Sequence, residues 1–264
     1  LTGAISRRGP KDLRPVTRPV PSEMSPLVSS LNSFISRLQT SLSRSEDFIA
    51  EAAHRVRTPL ATVRTQAETT LMRVEREDNR ASLREMIRAI DESSRAAGQL
   101  LDHAMVSFRT DSLELEDVNL TELACDLAER LQPVAELKDI ALHFEGQSAV
   151  SIMGDAILLQ NAVRNILDNA IKYSSRDSDI WVRVAGANSK ASIEIEDQAG
   201  GFAGEDTEAL TRRFVRGANA KDTIGSGLGL TIAREVAEAH GGSLIIKNSQ
   251  TGAGACVTLC FPSS

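Results

Sequence analysis

A chain of 264 residues has room for one large or two ordinary domains, and its 41% hydrophobic content suffices for a packed core, which excludes wholesale disorder. The net charge is −6, with both signs interspersed after residue 40, which argues against direct nucleic-acid binding as the main activity. The first twenty residues differ: Arg7, Arg8, Lys11, Arg14 and Arg18 are opposed only by Asp12. Such a run suits a solvated linker or the cytoplasmic flank of a membrane helix. No apolar stretch reaches the ~18 residues that a spanning helix needs. There is no signal peptide and the first residue is Leu1, so a soluble fragment of a longer protein is expected. Cys125, Cys256 and Cys260 show no metal-ligand spacing. Cys256 and Cys260 lie four apart in a strand-like segment, share one face, and are expected to be buried reduced thiols.

In chain order, Pro10, Pro15, Pro19 and Pro21 forbid a long helix at the start, and a helix can begin at Ser22. Met24, Leu27, Leu31, Phe34 and Leu38 then alternate steps of three and four, as in a coiled-coil seam, and Leu42 adds a stutter. Two longer helical patterns follow. The first runs through Ile49, Ala53, Val56, Leu60, Val63, Ala67, Thr70 and Val74; the second through Leu83, Ile87, Ile90, Ser94, Ala97, Leu101, Ala104 and Phe108. The polar run 76–80 is the turn between them. This is an antiparallel helical hairpin with one apolar seam per helix. A single hairpin cannot shield both seams, so dimerisation into a four-helix bundle is expected. Pro59 should bend the first helix.

Beyond Phe108 the pattern changes. Strands are predicted at 113–120, 140–145, 149–153, 180–185, 191–197, 243–248 and 255–261, and helices at 120–138, 155–173 and 227–240. Strands mixed with helices, without strict alternation, give an α/β sandwich. The Gly-rich, polar stretch 198–226 is too long for a plain connection and reads as a functional lid.

Several residues in this frame carry chemistry. His54 lies one helical turn before Thr58, beside seam positions but pointing away from them, and imidazole is nucleophilic near neutral pH. On helix 155–173, Asn165, Asn169 and Lys172/Tyr173 recur on one face. Carboxamide oxygens can ligate Mg²⁺ and lysine can meet phosphate. Asp197 ends an alternating strand before Gly200-Gly201, where a carboxylate can accept the adenine amino group. Gly225-Ser226-Gly227-Leu228-Gly229 precedes a helix, whose amides and N-terminus favour phosphate.

Together, Ala53-His54-Arg55-Val56-Arg57-Thr58-Pro59, Asn165-Ile-Leu-Asp-Asn169, Asp197-Gln-Ala-Gly-Gly201 and the glycine run resemble the sensor histidine kinases of bacterial two-component systems, over roughly residues 20 to 262. The segment 21–32 is similar to the second helix of a HAMP signalling linker. The resemblance implies three parts: a linker with a partial HAMP helix (1–43), a dimerisation and histidine phosphotransfer domain (44–110), and a catalytic ATP-binding domain of the histidine-kinase/Hsp90 (GHKL) type (111–264). It implies that His54 is autophosphorylated with ATP and passes its phosphoryl group to an aspartate of a response-regulator receiver domain. It also implies that the parent protein is a homodimer on the cytoplasmic side of the bacterial inner membrane, held by an upstream transmembrane segment.

By the same resemblance, Asn169 is the Mg²⁺ ligand with Asn165 beside it, and Lys172 and Tyr173 lie near phosphate and ribose. Asp197 and Gly201 hold the base, Arg213 and Phe214 belong to the lid, and Gly225, Gly227, Leu228 and Gly229 form the phosphate loop. Thr58 would position water for removing phosphate from the partner. Two positions depart from the family pattern. An acid normally follows the histidine and takes its proton; here Arg55 stands there, and a guanidinium is no base at neutral pH. Glu51, on the same helical face as His54, is the nearest substitute, or else simply an ion-pair partner of Arg55. Ala199 replaces the first glycine of Asp-x-Gly-x-Gly, a change that bears on ATP affinity and not on the fold. The alternative is a kinase-impaired dimeric scaffold or phosphatase acting on a response regulator. A gyrase- or Hsp90-type ATPase would lack the hairpin.

Overall fold

A computed structural model describes residues 15–17, 21–110, 113–146, 149–187, 189–202, 208–212, 215, 227–249 and 254–263; the side chains at 42, 43, 46, 47, 50, 53 and 54 are outside that description. A 3-10 turn at Ser22–Met24 leads into α1 (Ser25–Arg73), so the α-helix starts three residues later than the Ser22 expected. Pro26 sits in the first turn, where a missing N–H costs nothing. Helix α1 runs unbroken through both the coiled-coil seam and the first hairpin helix. Extended backbone at Val74 ends it, and α2 (Glu77–Arg109) returns antiparallel with Glu77 and Asp78 in its first turn, complementing the helix dipole. The Arg80 guanidinium ties the turn by donating to the carbonyls of Leu71 and Val74, each at 3.0 Å. Further along, Arg64 and Asp91 pair across the hairpin at 3.2 Å.

The second region is the α/β sandwich that the strand and helix pattern implies. Its elements are β1 (Glu116–Asn119), α3 (Leu120–Glu136), β2 (Ala141–Gly146), β3 (Ser151–Gly154), α4 (Ala156–Tyr173), β4 (Asp179–Ala187), β5 (Lys190–Glu196), α5 (Gly229–Ala239), β6 (Ser243–Asn248) and β7 (Ala255–Pro262). Five strands form one sheet in the order β2-β4-β5-β7-β6, parallel only between β2 and β4. Strands β1 and β3 pair separately, antiparallel. Asn119 and Asp155 cap α3 and α4 by accepting two backbone amides each.

Period-two alternation places Ile180, Val182 and Val184, Ile193 and Ile195, and Val257, Leu259 and Phe261 on one face of the sheet. Against them pack Leu158, Leu159, Ala162, Val163, Ile166 and Leu167 of α4 and Ile232, Ala233 and Val236 of α5. Val106 of α2 is fully buried in this same core. Cys256 and Cys260 fall in the opposite phase from Val257 and Leu259. They share a face as expected, but it is the sheet's open face, and they are half-buried rather than buried. Arg183 stands on that face too and pairs with Glu145, Glu194 and Glu196. Among the described residues, no helix is long and apolar enough to cross a membrane.

Candidate nucleotide site and phosphoacceptor helix

Helix α4 turns its apolar face to the sheet, and its edge carries Asn165, Asn169 and Lys172. The Asn165 amide donates to the Asn161 carbonyl one turn back at 2.8 Å, which turns its Oδ1 outward. That oxygen meets the first residue of α5. A Cβ built on Gly229 would stand 3.3 Å from Asn165 Oδ1 and 3.0 Å from Asn169 Nδ2, so any side chain here would press on both carboxamides. The fold thus joins Asn165, Asn169 and Gly229, from segments sixty residues apart. Gly227 takes a left-handed φ of 72° and Leu228 is buried just before the helix. Among the described residues no side chain caps the N-terminus of α5, and a helix N-terminus favours an anion. Lys172 Nζ lies 3.1 Å from the Tyr173 hydroxyl and 4.6 Å from its ring centre.

Asp197 follows β5 and is buried. Its Oδ1 accepts the amides of Ala199 (2.9 Å) and Ala255 (3.0 Å), so both bonds fall on one carboxylate oxygen. Burial pushes its carboxyl above the usual range, although the two amides oppose this. Gly200 and Gly201 both adopt left-handed φ, at 81° and 69°, whereas Ala199 does not. The substitution at 199 therefore falls where no glycine conformation is required, and the backbone pays no strain for it. Gly201 packs against Asn248, whose Oδ1 accepts the Phe202 amide at 2.7 Å. The backbone of Gly254 lies directly on the Asp197 carbonyl, where no side chain could fit. Asn248 and Gly254 escaped the sequence reading; only their places at the facing ends of two strands hinted at them.

On α1, Arg55 donates to Glu51 Oε1 twice, through Nε at 2.9 Å and a terminal nitrogen at 2.6 Å, and both side chains are largely exposed. Thr58 is exposed one turn beyond His54. The His54 backbone is helical, while its side chain lies outside the described residues, as do Arg213, Phe214 and Gly225. Among the described residues, no group of His, Cys, Asp and Glu could hold a metal ion. A divalent ion here would rest on the Asn carboxamides and on nucleotide phosphates. That donor set fits Mg²⁺, which keeps oxygen ligands and few from protein.

Residues 44–111 match the His Kinase A (phospho-acceptor) domain, and residues 154–264 match the histidine kinase-, DNA gyrase B-, and HSP90-like ATPase. A phosphoacceptor hairpin followed by this ATP-binding fold defines the histidine kinases, and the chain belongs to that family. It is 30% identical over 259 residues to the sensor protein kinase PmrB of Pseudomonas aeruginosa, covering 98% of this chain and 54% of that one. It is also 30% identical to the swarming motility regulation sensor protein RssA of Serratia marcescens, covering 100% of this chain and 56% of that one. The chain thus spans about half the length of the curated relatives it matches. Among solved structures, a mycobacterial sensor histidine kinase, MprB, aligns with a TM-score of 0.51 at 29% identity, covering 56% of this chain and 97% of that one. Full-length ShkA, solved with AMPPNP, shares the fold with a TM-score of 0.61 at 21% identity, over 83% of this chain and 47% of that one.

Proposed function

We propose that this chain is the catalytic part of a homodimeric sensor kinase that phosphorylates His54 from Mg²⁺-ATP and hands the phosphoryl group to an aspartate of a response-regulator receiver domain. The division is a linker with a partial HAMP helix at 1–43, the phosphotransfer hairpin at 44–110 and the ATP-binding domain at 111–264. In the whole protein an upstream membrane segment would hold it at the inner face of the bacterial membrane. The observation that carries this reading is the meeting of Asn165, Asn169 and Gly229 at the start of α5, in a chain whose α1 bears His54 one turn before Thr58.

Adenine would enter against Asp197, its amino group donating to Oδ2 while Oδ1 stays with Ala199 and Ala255. The phosphates would lie at the N-terminus of α5, with Lys172 alongside. Mg²⁺ held by Asn169, with Asn165 near it, would supply positive charge to the phosphate oxygens. The His54 imidazole attacks the γ-phosphorus; a nitrogen–phosphorus bond forms, the bond to the β-phosphate oxygen breaks, and ADP leaves. The imidazole proton then needs an acceptor. Glu51 is the acid nearest in sequence, and both Arg55 bonds use its Oε1, so Oε2 is the oxygen that would serve. Thr58 would position water for the reverse service, removing phosphate from the regulator.

A second reading gains from one observation. Arg55 occupies the place of the usual acid and also holds Glu51, an arrangement suited to a kinase-impaired scaffold or phosphatase. Incubation with γ-labelled ATP separates the two. Acid-labile label on the wild type, absent from His54→Ala, is expected of the kinase; an unlabelled wild type that still binds ATP favours the scaffold.

A further inference from the structure

We propose that Arg109 is a positioning residue for phosphoryl transfer, splicing the hairpin to both helices of the nucleotide site through the Asp155 cap; this rests on the autokinase reading above. The last two turns of α2 present one stripe to the ATP-binding domain. Val106 is 0% exposed within that domain's core. His103 Nε2 lies 3.5 Å from Glu235 of α5. Burial raises the Asp102 carboxyl above its ordinary range, with Arg164 of α4 and Arg57 of α1 opposing that rise. At the end of the stripe Arg109 Nε donates to Asp155 Oδ2 at 3.0 Å, and a terminal nitrogen of the same guanidinium holds Glu114 at 2.9 Å.

Asp155 is a junction of three helices. Its Oδ1 caps α4 by accepting the Ile157 and Leu158 amides at 3.1 and 3.2 Å. Its own amide donates to His240 Nε2 at 2.9 Å, and His240 follows directly after α5. The His240 Nδ1–H donates to the Val236 carbonyl at 2.8 Å, so the ring is anchored to α5 while it accepts from Asp155. Asp155 is 1% exposed and the Arg109 side chain 12%. A buried ion pair with further hydrogen bonds is costly to open, because either partner would be left charged and dry. The joint therefore resists opening, and a tilt of α2 would carry α4 and α5 with it. Those two helices bear Asn165, Asn169 and Gly229. The Arg64–Asp91 pair marks the hairpin register, which puts the His54 turn level with Leu101, next to the first residue of the stripe. The splice thus fixes how the phosphate end of the nucleotide site stands relative to the phosphoacceptor.

Two variants separate positioning from folding. Arg109→Gln removes the cation. Asp155→Asn keeps a capping oxygen for α4 but turns amide donors toward Arg109. In both, autophosphorylation turnover at saturating ATP should fall at least about tenfold, as misplacement of reacting groups does. The KM for ATP should stay within about twofold, the double variant should be no worse than either single one, and Arg109→Lys should recover part of the loss. Hydrogen exchange read independently of activity should quicken over 103–110 in Arg109→Gln while 156–173 stays protected. Unchanged turnover, a KM that rises in step with the loss, additive effects, or unchanged exchange over 103–110 would each overturn the proposal. An unlabelled wild type would count against the autokinase reading instead, and the exchange result would then decide the splice by itself.

Discussion

The hairpin and the ATP-binding domain use the same kinds of apolar residue to opposite ends. In the domain, Leu158, Leu159, Leu167, Ile180 and Ile193 are completely enclosed. In the hairpin, Val56 is 39% exposed and Val63 44%, although both stand in the seam that the helical period defines. The domain closes a sheet face with its own helices and Val106 of α2, so its hydrophobic demand is met within one chain. Two helices can cover each other along one line only, and the remaining flank of each seam faces water. A fully buried side chain of this size is worth about 1.5–3 kcal/mol, so a row of half-open ones is a strong drive to recruit a second hairpin. The difference makes the domain, with the end of α2, a closed core and leaves the hairpin with open apolar flanks.

The first effect comes from inside the closed region. Asp197→Asn keeps an oxygen for the Ala199 and Ala255 amides, so the unfolding midpoint should barely move. The group facing the base becomes a donor, however, and an unmatched buried polar group costs about 1–3 kcal/mol, or roughly 10- to 100-fold in affinity. Calorimetry with ATP and GTP should show the preference for adenine erased. A retained preference would remove Asp197 from the base pocket. Asn169→Ala should abolish the Mg²⁺ dependence of binding while leaving the fold intact, since that side chain is only half-buried.

The comparison itself is tested next. Val63→Asp introduces a charge at a site already open in the single chain, so helicity should persist while sedimentation shows the dimer weakened by roughly 100-fold or more. Ile166→Asp, the same chemistry in the closed core, should instead unfold the ATP-binding domain. If Val63→Asp left a tight dimer, the seam would be covered by something other than a second hairpin.

Much of this was legible in the sequence. The three-four spacing of the seams, the one-face recurrence of Asn165 and Asn169, and the alternation of β4, β5 and β7 are local patterns, and local patterns are written in consecutive residues. What escaped was set by distant pairing. Strand β3 pairs with β1, more than thirty residues away, in a small separate sheet. Val106 reads as one more helical apolar residue, yet it belongs to the other region's core. Arg109 and Asp155 carry no mutual signal, being forty-six positions apart. The Cys256–Cys260 spacing showed that the thiols share a face, but which face depends on where the helices pack. At Ala199 the family comparison alone suggested a penalty, and only the backbone angles show that the left-handed positions are the next two.

A different kind of effect is expected on the exposed side of α1. If Glu51 takes the imidazole proton, Glu51→Gln should slow autophosphorylation by about 10²-fold or more, the low end for general-base help. Arg55→Glu should then change little, because a base is already present. If no base acts, Arg55→Glu should speed the reaction and Glu51→Gln be silent. Loss of rate with Arg55→Glu and silence of Glu51→Gln would mean that the guanidinium itself serves the phosphates. Rapid-quench labelling at saturating ATP distinguishes the three outcomes.

The smallest effect concerns the sheet's open face, which lies between the two extremes of exposure. Cys256 stands there, half-buried beside Glu194 and Glu196. Burial, and then the Glu194 carboxylate, push its thiol up to about 11 from an ordinary 9.0. Both causes disfavour the thiolate, the species that reacts with an alkylating reagent. At pH 9 an unperturbed thiol is half ionised, whereas this one is ionised in roughly one molecule in a hundred. Iodoacetamide labelling of Cys256, followed by peptide mass spectrometry, should therefore run about fiftyfold slower in the native protein than in the unfolded chain at pH 9. The native rate should rise nearly tenfold per pH unit and level off only near pH 11, and Glu194→Gln should move that plateau to lower pH. Equal native and unfolded rates at pH 9 would mean that this face is as open as the hairpin flank, and the graded contrast between the two regions would lose its middle term.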